Sequence, residues 1–232
     1  MTSGIELEAK DAATSVEAGA WPGMAPALRR ALARSCAKRF GLIVVTGSGV
    51  DRSVAMLAKH GVTVLGAIHD RDTLGHALEA AEQGLGVATS EGGDAISTLA
   101  SLRRLAPDRF AFAAMLRLVI AQRVTARLCG ACRRPEQAYG SLSALLGLDP
   151  GAILWSAPGC AACGNSGTAG EISVFEGLEA DPAMRRLIYD GADAPLLARH
   201  AFLAMPNLAS AARTLARDGV IAADAAVRIS RE

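Results

Sequence analysis

Cysteine spacing constrains the fold more than any other feature of this chain. Four of its five cysteines form two C-x-x-C pairs, Cys129 with Cys132 and Cys160 with Cys163, and residues 133–159 lie between the pairs. A tight turn within each pair points both sulfurs the same way, so two pairs can close a tetrahedral shell around one ion. Four thiolates leave no open coordination position, which predicts structural Zn²⁺ in a small lobe with little core of its own.

The four cysteines have two other interpretations, unrelated buried thiols or a redox pair. Disulfides are disfavoured because Met1–Asp11 is polar and acidic and contains no apolar signal-peptide region, which favours a reducing compartment. The fifth cysteine, Cys36, falls with Leu28 and Leu32 on the apolar face of a helix predicted to begin at Pro26. Cys36 is therefore interpreted as a small buried hydrophobe.

Composition and charge narrow the class of protein. The 232 residues are 51% hydrophobic and 4% aromatic, with a formal net charge of +1. This is typical of a globular protein and provides no long-range field to attract nucleic acid or an anionic membrane. The longest apolar stretch, Phe110–Gln122, contains Arg117 and is too short to span a bilayer. We expect a cytoplasmic protein with no membrane span and no nucleic-acid partner.

Short apolar runs in the first half of the chain predict a parallel α/β sheet. Leu42–Val45 and Val62–Leu65 each fit a strand buried on both faces, and Leu85–Thr89 fits a third. An apolar helix face lies between the second and third runs and ends at Gly84. Strand, helix and strand at this spacing are typical of a parallel sheet covered by helices.

Periodicity in the rest of the chain mostly predicts helices. The apolar positions favour one helix over 94–104 and a longer one over 108–128. Alternation predicts a strand over 171–176, and Asp181-Pro182 is the expected start of a helix. The last helix is predicted over 207–218. Among the histidines, His69 and His76 lack a third metal ligand, and His200 is interpreted as partly buried beside an apolar helix face.

A glycine-rich turn follows the first predicted strand. Gly47, Ser48 and Gly49 after a buried strand give the local context of a phosphate-binding loop, which also needs a lysine for the phosphate oxygens and a Ser or Thr for Mg²⁺. Here Val50 and Asp51 come next, and no lysine lies beside the turn. Taken alone, the turn is interpreted as structural.

Taken together, these segments resemble the secretion and pilus assembly ATPases, the cytoplasmic hexameric motors of type II secretion and type IV pilus biogenesis. Ala121–Cys129 resembles the entry to that family's tetracysteine zinc motif, and the similarity continues through Cys163 to Phe175-Glu176. Upstream, Gly41–Gly49 is similar to the phosphate-loop strand, and Gly66–Thr73 to the segment Gly-Glu-Ile-Arg-Asp-x-Glu-Thr. The resemblance implies ATP and Mg²⁺ as cofactors. The residues it leaves as weak, degenerate nucleotide-binding positions are Gly47, Ser48, Gly49 and Asp70.

The departures from the family pattern fall on its chemistry. Ala67 stands where the family has the glutamate of its Walker B region, His69 replaces an arginine, and Ser90-Glu91-Gly92 replaces a histidine-containing stretch. Residues 50–63 are also too few to hold the family's acidic box. One acid/base group is worth roughly 10²–10⁴ in rate, and phosphoryl-transfer stabilisers add comparable factors. We expect no catalytic residues, lost hydrolysis, and doubtful ATP and Mg²⁺ binding.

The expected fold class is α/β: a truncated RecA-like P-loop core with a tetracysteine zinc lobe and a C-terminal helical region. The resemblance covers roughly residues 25–232. The predicted organisation is a mobile lead segment over 1–25, a degenerate ATPase core over 26–128, a tetracysteine zinc lobe over 129–170, and a C-terminal strand and helical region over 171–232.

The favoured function is a catalytically inactive accessory or vestigial subunit that acts through binding. The resemblance implies an active secretion ATPase paralogue, an inner-membrane platform protein or a second copy of the chain as partner, and a cytoplasmic location that extends to the inner-membrane surface. One alternative is residual ATP binding or slow hydrolysis through an altered loop. The other is an independent zinc-ribbon adaptor for nucleic acid, which the balanced charge and few aromatic residues disfavour.

Overall fold

A computed structural model describes residues 21–231 of the protein. Most of the predicted lead segment therefore lies outside the described residues. Of its described part, Trp21 and Met24 are buried, and the ring of Trp21 meets Phe175 edge-on with centroids 6.4 Å apart. These two residues belong to the packed body of the protein.

A five-stranded sheet organises the described chain. Its strand order is β2-β3-β1-β4-β7; the first four strands run parallel, and β7 pairs antiparallel to β4. Strands β5 and β6 form a separate antiparallel pair. The strands are β1 Gly41–Gly47, β2 Thr63–Ile68, β3 Leu85–Ser90, β4 Leu116–Leu128, β5 Arg134–Gln137, β6 Ile153–Ser156 and β7 Thr168–Glu179.

Helices cover both faces of the sheet and form the C-terminal region. Asp70 and Asp94 each begin a helix with a capping box. Asp181 followed by Pro182 begins another helix, as the sequence predicts. The helices are α1 Pro26–Cys36, α2 Val50–Lys59, α3 Arg71–Gln83, α4 Ala95–Leu105, α5 Arg109–Met115, α6 Gly140–Leu146, α7 Pro182–Asp190, α8 Ala194–Ala201, α9 Leu208–Arg217 and α10 Ala223–Arg231.

Side-chain alternation along β1 divides the interior into two cores. Leu42 and Val44 point into the larger core, whereas Ile43 and Val45 point into the smaller one beneath α1 and α2. Cys36 lies in the smaller core at 5% exposure, and burial raises the pKa of its thiol to about 12. The mixed α/β architecture with a buried parallel sheet is confirmed, as is the interpretation of Cys36.

The predicted long helix over 108–128 is wrong. Helix α5 ends at Met115, and the chain continues as strand β4, which lies between β1 and β7 in the sheet. A continuous apolar run satisfies helical and strand patterns equally, and here pairing on both sides decides for the strand. Leu118 and Ile120 then pack in one core, while Val119 and Ala121 pack in the other.

Two further predictions need correction, and one helix was not predicted. Strand β2 is not buried on both faces, because it is the edge strand and Val64 is 51% exposed. Residues 50–59, to which no element was assigned from the sequence, form α2. The helix over 208–217 is followed by α10, whose alanine-rich apolar face packs into the larger core.

No helix in the stretch 21–231 is both long and apolar enough to cross a membrane.

Candidate functional site

The four paired cysteines meet at the end of strand β4. One ligand atom from each of Cys129, Cys132, Cys160 and Cys163 lies within 4.8 Å of all the others. The measured Sγ–Sγ distances are 3.9 Å for Cys129 to Cys160, 4.0 Å for Cys132 to Cys163, and 3.8 Å for Cys160 to Cys163. Zinc–sulfur bonds of about 2.3 Å in a tetrahedron place sulfurs about 3.8 Å apart. The sulfurs therefore fit a tetrahedral metal ion such as zinc.

Backbone geometry prepares the second cysteine pair for a metal. A short 3₁₀ turn holds Cys160 and Cys163 together, and Gly164 follows it with a positive φ of 58°. The amides of Cys160 and Gly167 donate to Cys163 Sγ at 3.2 and 3.3 Å. Chiefly because the Cys160 amide donates to it, the pKa of Cys163 falls to about 6. Amide donors of this kind stabilise the thiolate that a metal requires.

Contacts with the C-terminal helices hold the tetracysteine lobe, residues 129–170, in place. Trp155 Nε1 donates to the carbonyl of Arg217 at 3.0 Å, and a guanidinium nitrogen of Arg133 donates to Gly219 at 2.5 Å. The Arg133 guanidinium also lies 5.1 Å from the centre of the Trp155 ring. Leu146 and Leu154 of the lobe join the larger core. The lobe thus shares its apolar packing with the C-terminal region.

A second concave region, the strand-end cleft, opens where β1, β2 and β3 end. It has a volume of about 700 Å³, and Gly47, Ser48, Ala67, His69 and Arg123 contribute to its lining. The carboxyl ends of parallel strands at a reversal of strand order are the usual ligand position in open α/β sheets. Here β2 and β3 lie on one side of β1, and β4 lies on the other.

The connection from β1 to α2 departs from a phosphate-binding loop. It consists of Ser48 and Gly49 alone, and Gly49 is the left-handed residue before α2. In the pattern G-x-x-x-x-G-K the lysine directly follows the last glycine. Here Val50 follows Gly49, and Val44, inside β1, stands at the position of the first glycine. The turn therefore lacks both the first glycine and the lysine of that pattern.

Backbone and side-chain hydrogen bonds join Ser48 of this short turn to β4, and Ser53 of α2 bonds to the same strand. The Ser48 amide donates to the Gln122 carbonyl at 3.1 Å, and Gln122 Nε2 donates to the Ser48 carbonyl at 2.7 Å. Ser48 Oγ accepts from the Val124 amide at 2.8 Å, and Ser53 Oγ donates to Gln122 Oε1 at 2.6 Å. Gly47 approaches the Gln122 carbonyl so closely that any β-carbon there would overlap it. The turn is braced against β4.

The expected nucleotide residues are only partly brought together. Gly47 and Ser48 line the strand-end cleft, but Asp70 caps α3: it accepts from the Thr73 amide at 2.8 Å and from the Thr73 hydroxyl at 2.7 Å. Chiefly the Thr73 hydroxyl holds the pKa of Asp70 below its usual range. Its carboxylate is committed to the helix terminus. Ala67, at the end of β2, offers no carboxylate to the cleft.

Three polar residues with no role predicted from the sequence lie on β4 and β7, and one of them, Arg123, lines the cleft. Gln122 is fully buried, and Arg123 donates to the carbonyls of Gln122 and Gly93 at 3.1 and 2.6 Å. Glu176 is buried, and burial raises its pKa. All three lie in segments that resemble the family, and that resemblance is the one feature of the sequence that could have indicated a role for them.

Glu176 joins two helix N-termini. Its Oε1 accepts from the Ala95 amide at 2.7 Å, and its Oε2 accepts from the Leu208 amide at 2.9 Å. Two otherwise unsatisfied helix donors are thus paired with one carboxylate. Glu176 links α4, behind the cleft, to α9 of the C-terminal region.

His200 lies where the sequence predicts. His200 is partly buried, and its Nε2 lies 3.0 and 3.1 Å from the two carboxylate oxygens of Asp181. Within residues 21–231, the four cysteines form the one group of three or more such ligands close enough to share a metal. His69 and His76 therefore do not form a second site of that kind.

Comparison with known proteins decides the family. A family model described as "Type II/IV secretion system protein" matches residues 55–228. The chain is 32% identical over 174 residues to Type II secretion system protein E of Pseudomonas aeruginosa, and the matched region covers 74% of this chain and 35% of that relative. The chain belongs to the type II secretion and type IV pilus ATPase family. It is also 29% identical over 154 residues to the type IV pilus assembly ATPase PilB of Myxococcus xanthus, covering 63% of this chain and 27% of that relative.

Solved structures agree with the family at the level of the fold. The pilus retraction motor PilT with bound ADP superposes with a TM-score of 0.55 at 17% identity, over 86% of this chain and 64% of PilT. The ATPase DotB of Legionella pneumophila gives 0.56 at 12% identity, over 85% of this chain and 62% of DotB. The chain spans about a third of the length of the curated relatives that it matches.

Proposed function

We propose that this family member does not hydrolyse ATP and acts through binding, as an accessory subunit beside an active secretion or pilus ATPase. The observation that carries the proposal is the two-residue turn Ser48-Gly49, whose groups bond to β4 through Gln122. A phosphate would have to displace bonds that the protein already makes. Asp51, in the first turn of α2, would also repel a phosphate bound at this turn.

The losses act together on phosphoryl transfer. The turn carries no lysine for the phosphate oxygens, and Ala67 replaces the carboxylate expected at the end of β2. Because charge stabilisation and positioning provide nearly all of the rate acceleration in phosphoryl transfer, losing several of these groups leaves turnover near background. The proposed role therefore depends on surfaces and on the zinc lobe, which needs no bound nucleotide.

Turnover by the full chain tests the loss of hydrolysis. Purified protein with Mg-ATP should release phosphate no faster than buffer, while an active family ATPase assayed beside it releases phosphate readily. If turnover is detected, the Arg123→Ala variant separates the sources, since activity of this chain should fall with a change in the strand-end cleft and a contaminant's should not. Activity that falls in the variant contradicts the proposal.

Co-purification tests the accessory role. The chain, expressed with an active ATPase from the same secretion or pilus system, should elute with it at a defined ratio, in the cytoplasmic fraction or at the inner membrane. A protein that stays monomeric and ignores that motor and the platform protein contradicts this part of the proposal. Neither result depends on the turnover assay.

Residual nucleotide binding is the second candidate function. The strand-end cleft keeps a volume of about 700 Å³, and Arg123 in its lining supplies a positive charge. Saturable binding of Mg-ATP below about 1 mM, which corresponds to roughly −4 kcal/mol, would favour this candidate over the main proposal.

A further inference from the structure

A basic pocket lies at the end of the sheet opposite to the strand-end cleft. It has a volume of about 380 Å³ and is lined by α1, the start of β4 and the start of α7. Its two acidic residues are already paired. Glu179 accepts from Arg34 at 2.6 and 3.0 Å, and Asp181 accepts from the Met184 amide at 2.7 Å and lies against His200.

The remaining charged residues of this pocket are cations: Lys38, Arg117 and Arg185. Arg117 donates to the Phe40 and Ala114 carbonyls at 2.9 and 2.6 Å, and burial together with the nearby Arg185 lowers the pKa of Arg117. Within residues 21–231, the buried Arg185 Nε has no hydrogen-bond partner. The two guanidinium groups repel each other, and an anion bound beside them would relieve that repulsion.

An aromatic groove continues from the basic pocket past Arg185. The two concave regions share Pro182 and Arg185, and the groove has a volume of about 520 Å³. Phe110 and Tyr189 bound it and meet edge-on with ring centroids 6.3 Å apart, although they are 68% and 44% exposed. Large exposed aromatic side chains beside arginine are typical of protein-binding surfaces. We call Lys38, Phe110, Arg117, Arg185 and Tyr189 the basic–aromatic surface.

We propose that the basic–aromatic surface binds an acidic peptide segment of a partner protein, with a carboxylate beside Arg117 and Arg185 and a neighbouring apolar side chain against Phe110 and Tyr189. A guanidinium fork matches a carboxylate in geometry as well as in charge. The inference deepens the accessory part of the proposed function, because it names the chemistry of the partner, and it is independent of whether ATP is hydrolysed.

A peptide is favoured over a lipid surface because the residues line concave regions. A membrane is flat on this scale and favours a cluster of exposed basic residues, whereas here two of the basic groups, Arg117 and Arg185, are partly buried. The net charge of +1 also provides little general attraction to anionic lipid.

Fluorescence anisotropy with defined peptides tests the inference on the full chain. The probe is a labelled peptide in which Glu alternates with Leu and Phe, and its matched counterpart carries Gln in place of each Glu. We expect the acidic peptide to bind with a dissociation constant below about 100 µM and the Gln peptide to bind at least about 10-fold more weakly. The Arg185→Glu variant should lose about 10-fold or more, and Tyr189→Ser about 3-fold.

Arg52→Glu is the matched control, since it makes the same charge change on the exposed side of α2, away from the basic–aromatic surface. Its peptide affinity should stay within about 2-fold of the parent chain. Because Arg185 is close to Arg117 and its Nε is unpaired, Arg185→Ser should weaken the peptide without lowering the melting temperature. If Arg185 had only a structural role, Arg185→Ser would lower the melting temperature and leave the peptide affinity unchanged.

Three results would overturn the inference: equal binding of the acidic and Gln peptides, unchanged affinity in Arg185→Glu, or sedimentation with anionic lipid vesicles in place of peptide binding. A Mg-ATP titration on the same preparation keeps the two proposals apart. If the chain binds both Mg-ATP and the acidic peptide, only the proposed loss of ATP chemistry is overturned. If it binds neither, only the proposed peptide-binding surface is overturned.

Discussion

The tetracysteine lobe and the strand-end cleft differ in how closely each matches the geometry that its expected ligand requires. In the lobe, the three measured distances between sulfurs lie between 3.8 and 4.0 Å, close to a zinc tetrahedron. In the cleft, the turn after β1 is short and bonded to Gln122. A closed metal shell needs four equivalent ligands, whereas phosphoryl transfer needs several different groups at once. The first is retained or lost as a unit, and the second can erode group by group.

Removal of one cysteine ligand should give the largest effect. Cys160→Ser is expected to release about one equivalent of zinc and to cost about 4 kcal/mol or more, because metal binding supplies much of the stability of such lobes. For a chain of this size that lowers the melting temperature by roughly 8–16 °C. Metal analysis and calorimetry measure both quantities.

Cys36→Ala is the matched control for that experiment. Cys36 is buried in the smaller core and far in sequence from the four ligands, so its loss should cost about 1 kcal/mol and leave the zinc content unchanged. An unchanged zinc content in Cys160→Ser would contradict the assignment of the four cysteines as zinc ligands, and with it the contrast between the lobe and the cleft.

A substitution of Glu176 tests whether this residue couples α4, behind the cleft, to α9 of the C-terminal region. Glu176→Ala leaves the Ala95 and Leu208 amides without their acceptor and should cost about 3 kcal/mol. Hydrogen exchange should then increase at the starts of both α4 and α9. Increased exchange at α4 alone would disprove the link to the C-terminal region.

The pH dependence of stability gives the same residue a second test. Because burial raises the pKa of Glu176 above its ordinary 4.5, the folded chain holds this proton more tightly than the unfolded chain. The contribution of Glu176 to stability is thus present below pH 4.5 and declines as the pH rises through the raised value. Relative to Glu176→Gln, the parent chain should lose stability with increasing pH in denaturant titrations; a flat difference contradicts the assignment.

Loss of the hydrogen bonds between Gln122 and the short turn should have a smaller effect on stability. Gln122→Ala removes the bonds to Ser48 and Ser53 and should cost about 2 kcal/mol, since it leaves buried polar groups unpaired. The variant should gain no affinity for Mg-ATP, because the turn still has Val50 in place of the phosphate-binding lysine. A nucleotide affinity that appears on removing Gln122 would mean that the Gln122 side chain, rather than the missing lysine, prevents nucleotide binding.

The contact between the lobe and the C-terminal region predicts the smallest effect. Arg133→Ala loses a bond to Gly219 and the stacking on Trp155, which together should cost about 1 kcal/mol. Zinc content should be unchanged and melting only slightly earlier. Zinc loss in this variant would show that docking of the lobe, and not its four sulfurs alone, controls the metal.

The parts of the fold set by local chemistry were predictable. Asp181 caps α7 as predicted, α4 begins near the predicted position 94, and β1 and β3 follow their apolar runs closely. The meeting of the four cysteines follows from their spacing, since each pair is nearly closed within four residues.

Features that depend on distant partners were not predictable from one sequence. The segment Leu116–Leu128 is a strand because β1 and β7 pair with it, and local periodicity contains no information on either partner. Glu176 pairs with amides 81 and 32 residues away, and Gln122 braces a turn 74 residues away. Such contacts depend on which strands and helices are neighbours in the fold, and the local sequence does not determine that arrangement.

Joint measurement of zinc and nucleotide on one preparation of the full chain tests the central contrast most directly. Mass spectrometry of the metal and isothermal titration with Mg-ATP should find about one zinc per chain, as four thiolates require, and no saturable heat below about 1 mM nucleotide. A chain that holds no zinc, or one that binds Mg-ATP with submillimolar affinity, would contradict the account.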